Sequence, residues 1–186
     1  MNTPSPLKTV DDLWALPENG RFFELVKGEL RSTGLAGFEH GCIVTNVAYA
    51  LRSETPKSIG IVLLGRAGFV LRRDPDTVVG PDIAFVKAER IDEARLPEKY
   101  FDGPPDLAIE VVSPEDRGAE VDAKVQDYLA AGTQLVWVVN PRWRNVTIYQ
   151  ADRTVRVVAE TEELTAPELL PGFTCQVADL FPKQPT

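Results

Sequence analysis

Apolar positions along this chain follow two rhythms. From Phe38 to Ser53 the residues Ile43, Val47 and Leu51 recur every four positions, with Val44 and Ala48 beside them, which predicts an amphipathic helix. Elsewhere the apolar residues gather in short β-branched runs that predict strands: IGIVLLG (59–65), AGFVLRR (67–73), PDIAFV (81–86), PDLAIEVVS (105–113) and QLVWVV (134–139). WRNVTIYQ and RTVRVVAE, separated by Asp152, predict two later strands, and RFFELV and ELRST joined through Lys27-Gly28 predict a β-hairpin near the start.

Local signals mark the helix ends. Thr9 can cap a short helix through Leu16, with Asp11 and Asp12 in its first turn, where the helix dipole favours acids. Ser113-Pro114-Glu115-Asp116 reads as a second helix start, running to about Ala131 and ended by Gly132. Residues 88–104 read as a long loop. The order α-βββ-α-β, with an extra N-terminal hairpin and extra C-terminal strands, predicts an α/β domain with a mixed central sheet flanked by helices. The β-α-β unit from Leu107 to Val139 is expected to be parallel.

At 186 residues, 44% of them hydrophobic and 26% charged, the chain reads as one globular domain over 1–186, with an ordered core of about 9–181. Its Pro-rich ends (Pro4 and Pro6, Pro182 and Pro185) are expected to be loose. The longest apolar run, Gly included, is the seven residues Ile59 to Gly65, far short of the ~20 that a membrane span needs. No apolar stretch follows a basic start, so no signal peptide is read and a cytoplasmic location is expected. Two Cys without a CxxC and one His exclude a Cys/His zinc site built from one chain. No GxSxG, GxGxxG or GxxxxGK[ST] is present, which argues against the hydrolase elbow and the common phosphate cradles. Carboxylates, Lys and Arg remain, and they suit a hard, oxygen-bound ion such as Mg²⁺.

Strand alternation then sorts the acids. In PDLAIEVVS, Asp106, Ala108, Glu110 and Val112 share one face, so Glu110 lies mid-strand in an apolar run. A buried carboxylate there is costly unless it is paired, hydrogen-bonded or bound to metal. An Arg or Lys salt bridge is the plain reading; a site acid is favoured because Glu is a poor strand former. Asp106 stands ~13 Å along the strand from Glu110, too far to share one ion, and reads as a strand-entry residue. Asp82 follows Pro81 at another strand start. If the two strands pair ~4.8 Å apart, Asp82 and Glu110 can face one ion. On the second long helix, Lys124 falls within the apolar stripe Val121, Val125, Tyr128 and Leu129. It either snorkels to the edge or points at the sheet end that holds Glu110.

PDIAFV, PDLAIEVVSPEDR and the spaced residues of K…Y…AG…W.V.P resemble the Uma family of "putative restriction endonucleases", within the PD-(D/E)XK nuclease superfamily. FELVKGEL and His40 at a helix start are similar to it too, and the resemblance extends from about Phe23 to Phe181. It implies a restriction-endonuclease-like fold and metal-dependent phosphodiester hydrolysis. It also implies that Asp82 and Glu110 bind Mg²⁺ or Mn²⁺, with the carbonyl of Val111 as a further ligand. The superfamily's usual Lys, two residues after the Glu, is Val112 here. The resemblance instead places the Lys on the following helix, as Lys124, and it matches Glu24 to the acid of the N-terminal hairpin. His40 could assist, although a lone His at a helix start is more often a cap or a packed surface residue; Tyr128 and Trp137 read as core.

Net charge changes the picture of partners. A balance of −8 opposes DNA binding, in which phosphate neutralisation dominates affinity. Yet residues 52–73 carry Arg52, Lys57, Arg66, Arg72 and Arg73 against one acid, and residues 141–156 carry Arg142, Arg144, Arg153 and Arg156 against Asp152. The expected function is a Mg²⁺-dependent endonuclease acting on nucleic acid, with DNA as the expected substrate, no membrane, and a homodimer as one option. The alternative is a non-catalytic module of the same fold; retention of Asp82, Glu110 and Lys124 weighs against it.

Overall fold

The computed structural model describes residues 6–17, 22–65, 67–92 and 94–183. Pro4, Pro185 and Arg66, which enter the expectations above, lie outside these residues. In chain order the elements are α1 (Val10–Trp14), β1 (Phe22–Val26), β2 (Glu29–Thr33), α2 (Phe38–Glu54), β3 (Gly60–Leu64), β4 (Phe69–Arg72) and β5 (Thr77–Val79). They continue with β6 (Ile83–Lys87), β7 (Phe101–Asp102), β8 (Leu107–Val111), α3 (Gly118–Ala131), β9 (Leu135–Asn140) and β10 (Asn145–Gln150). The last are β11 (Val155–Val158), β12 (Glu163–Thr165) and β13 (Thr174–Gln176).

A six-stranded sheet in the order β11-β10-β9-β8-β6-β3 forms the centre. The expected α-βββ-α-β core is realised as α2, then β3, β6 and β8, then α3 and β9, with β8 and β9 parallel as expected. Side-chain alternation explains its two layers. Ile83, Phe85, Leu107, Ile109, Val111, Trp137 and Val139 pack towards α2 and the C-terminal segment. Ala84, Val86, Ala108, Val136 and Val138 face the other way, onto Val125 and Tyr128 of α3.

One expected strand lies elsewhere. AGFVLRR does not join the central sheet: its β4 pairs with β5 and β7, and β5 joins the N-terminal hairpin, giving a second sheet in the order β2-β1-β5-β4-β7. The apolar pattern of β4 is satisfied there, because Phe69, Leu71 and Val79 pack on the same α3 layer. Helix α3 thus contacts both sheets. The hairpin turn is as expected, with Lys27 (φ 52°) and Gly28 (φ 79°) both left-handed, the conformation a two-residue turn between twisted strands requires.

Thr9 closes a reciprocal capping box with Asp12, and Gly132 ends α3 at φ 106°. The start of α3 differs from expectation. Ser113-Pro114-Glu115-Asp116 forms a turn in which the Ser113 amide donates to Asp116 Oδ2 at 2.7 Å, and the helix begins after Arg117. The aspartate side chain here bonds a backbone amide before the helix, a local competition that short polar side chains win in turns.

Candidate active site

The register of the central sheet builds the site. β6 and β8 pair antiparallel with Ile83 opposite Ile109 and Ala84 opposite Ala108. One step further along the same register, Asp82 stands opposite Glu110, on the face shared with Ala84 and Ala108. Directly opposed residues have Cβ atoms ~5 Å apart, so two carboxylates meet at this end of the sheet.

Each is held from one side only. Asp82 Oδ2 accepts the Val111 amide at 2.8 Å and lies 3.1 Å from His40 Nε2, in the first turn of α2. An ionised Asp82 accepts that contact with the ring proton on Nε2. Glu110 Oε1 accepts the Tyr128 hydroxyl at 2.8 Å and lies 3.4 Å from Lys124 Nζ. Lys124 also donates to Glu24 Oε1 at 3.1 Å, and the Gly80 amide reaches the same oxygen at 3.2 Å. A single ammonium from α3 therefore ties β1 of one sheet to β8 of the other. Asp82 Oδ1, Glu110 Oε2 and Glu24 Oε2 accept no hydrogen bond from the described residues.

The electrostatics follow from this crowding. Burial raises the Glu110 carboxyl to about 7; Lys124 and the Tyr128 hydrogen bond oppose the rise, and Asp82 and Glu24 add to it. Burial works against the charge of Lys124, but Glu110 and Glu24 outweigh it and hold the ammonium above its usual range. Burial and the neighbouring carboxylates push the Tyr128 hydroxyl well up, so it stays a hydrogen-bond donor. The cluster opens into a cleft of about 620 Å³. Seven acids line the cleft (Glu24, Asp82, Glu110, Glu115, Asp116, Glu120 and Asp127) against Arg31 and Lys124, which gives it a negative potential.

The structure brings Asp82, Glu110, Lys124 and Glu24 together, with Val111 beside them in the cleft lining. Asp106 is elsewhere, as expected: it accepts from the Lys87 amide, Arg90 Nη1 and Gln134 Nε2. Two further side chains, Tyr128 and His40, reach the carboxylates. Tyr128 is buried core, but its hydroxyl belongs to the site; a Tyr inside an apolar stripe needs a partner for that hydroxyl, and its position four residues after Lys124 points both at one target. His40 contacts Asp82 rather than serving as a cap.

The donor set fits a hard cation. Mg²⁺ is commonly held by one or two carboxylates and keeps several waters, and Asp82 and Glu110 each have an oxygen left over. Among the described residues no group of three or more His, Cys, Asp or Glu side chains could hold a metal ion.

The six-stranded mixed sheet, with α2 and the C-terminal segment on one face and α3 on the other, is an α/β fold. A solved structure described as a "putative nuclease belonging to DUF820", from Anabaena variabilis, superposes with a TM-score of 0.82 at 23% identity, covering 93% of this chain and 97% of that one. Residues 10–178 match the family model Uma2, described as "Putative restriction endonuclease", and the chain belongs to that family. No curated protein matches the chain. No helix among the described residues is long and apolar enough to cross a membrane.

Proposed function

We propose that the protein is an endonuclease that hydrolyses phosphodiester bonds in DNA with Mg²⁺ or Mn²⁺ held by Asp82, Glu110 and the carbonyl of Val111. The observation that carries this reading is the opposition of Asp82 and Glu110 across β6 and β8, with the Lys124 ammonium fixed between Glu110 and Glu24. A divalent ion bound there supplies Lewis-acid polarisation of the scissile phosphate.

The chain's own residues do the rest. His40 and the Val111 amide fix the Asp82 carboxylate, and Tyr128 fixes that of Glu110. Lys124, about one-third exposed, presents its charge to the cleft, where it orients the attacking water and offsets negative charge developing on the phosphate. Glu24 positions that ammonium and, with Glu110, keeps it protonated. The same reading places the protein in the cytoplasm, and as a homodimer where both strands of a duplex are cut.

The test is cleavage of supercoiled plasmid and single-stranded DNA across a Mg²⁺ and Mn²⁺ titration, against chelator and against Glu110→Gln. Metal-dependent cleavage by the wild type, lost in the variant, is the expected result. No cleavage together with no metal binding by calorimetry would overturn it and leave the non-catalytic module of the same fold.

A further inference from the structure

An acidic protein with an acidic cleft needs contacts outside the cleft to retain a polyanion. The parallel register of β8 and β9 shows where one is available. Val111 stands opposite Val139, and the Val112 amide donates to the Val139 carbonyl at 2.9 Å. The carboxyl ends of both strands therefore lie together, and the turn 141–144 projects beyond the end of the sheet that carries Asp82 and Glu110. Arg142 is three residues past Val139, so it lies within about 10 Å of Val111 along the chain direction, plus one strand spacing of about 4.8 Å.

The turn is built to present two side chains. Asn140 Oδ1 accepts the Trp143 amide at 3.1 Å. Arg144, left-handed at φ 47°, is neutralised by Glu160 at 2.7 Å and stacks 4.8 Å from the Phe181 ring, which anchors the turn to the C-terminal segment. Arg142 makes no ion pair with the described residues, and its guanidinium lies 5.4 Å from the indole of Trp143, itself 67% exposed. The anchor is thus spent internally, while an unneutralised cation and a large aromatic face are left pointing outward. A planar cation beside an exposed indole offers the two contacts by which proteins hold single-stranded nucleic acid, charge for a phosphate and a π-face for a base.

We infer that Arg142 and Trp143 form a nucleic-acid contact flanking the cleft, with Arg142 on a backbone phosphate and Trp143 stacked on a base a nucleotide or two from the scissile bond. This rests on the proposed nuclease reading. It also implies that the strand is single or locally opened at the site, since a base inside a duplex offers no free face.

The two residues have different signatures. Binding of a fluorescent single-stranded oligonucleotide is measured across a salt series with Ca²⁺ replacing Mg²⁺, in otherwise wild-type protein. Arg142→Gln should lower the slope of log K against log[salt] by about 0.7, the contribution of one phosphate contact on a single strand. Trp143→Ala should weaken binding between about fivefold and a hundredfold with the slope unchanged, and Trp143→Tyr should restore most of the loss. Both positions are exposed, and unchanged thermal melts check that the variants fold. Variants that bind like the wild type, while the wild type cleaves, would overturn this contact and leave the nuclease intact. A wild type that neither cleaves nor binds any nucleic acid would remove both.

Discussion

Asp106 and Glu110 share one face of the same stretch of chain, four residues apart, and do opposite things. The Asp106 carboxylate receives three donors across both oxygens: the Lys87 amide and Arg90 guanidinium on Oδ2, and Gln134 on Oδ1. It is a closed strut that locks the loop after β6 to the entrance of β8. Glu110 is nearly as buried, at 13% side-chain exposure against 4%, yet its donors converge on one oxygen and leave the other without a donor among the described residues. Burial alone does not separate a carboxylate that the protein fully satisfies from the one proposed to bind metal. What separates them is whether the protein satisfies the whole group or leaves one lone-pair set for something it does not itself supply.

The sharpest way to break this comparison is to neutralise each acid in turn. Glu110→Gln should abolish metal-dependent cleavage, by at least about 10²-fold in single-turnover rate, while the fold is kept or gains stability as a desolvated charge is removed. Asp106→Asn should do the reverse, costing about 3 kcal/mol in denaturant melts because Arg90 keeps the Pro104 carbonyl but loses its ion pair, with cleavage per folded molecule little changed. If Asp106→Asn proved inactive and fully stable, the roles assigned to the two ends of β8 would be wrong.

Lys124 tests whether the open carboxylate works alone. Lys124→Met keeps the apolar stem and removes the charge. It should slow single-turnover cleavage at saturating Mg²⁺ by about 10²-fold, with metal binding by Asp82 and Glu110 retained in calorimetry. A rate within a few-fold of the wild type would reduce Lys124 to a structural tie between β1 and β8.

The smallest expected effect is one of pH. Burial raises Glu110 from 4.5 to about 7 in the folded protein, so between these values the folded state holds a proton that the unfolded chain has released. Metal-free stability should therefore fall as pH rises from about 4.5 to about 7, by roughly 1–3 kcal/mol, and level off above. Glu110→Gln should flatten that slope. Saturating Mg²⁺ should offset the loss at pH 8 by mass action, about 2.7 kcal/mol at a hundredfold excess over its dissociation constant.

What the amino-acid order determined by itself was local or periodic. The four-residue recurrence in α2, the capping box at Thr9, the left-handed turn at Lys27-Gly28 and the alternation that sets Glu110 against Ile109 all depend on neighbours within one or two turns of chain. The pairing of Asp82 with Glu110 was legible only as a condition, because alternation assigns a face and says nothing about which strand lies alongside. Tertiary structure decided the remainder. Burying the pattern of β4 needed an apolar partner but not a particular one, and the α3 layer provided it in the second sheet. Glu24 meets Lys124 across 100 residues, and His40 meets Asp82 across 42. No propensity carries over such distances. These contacts form because two sheets close on one helix, and the charges left between them have each other as partners.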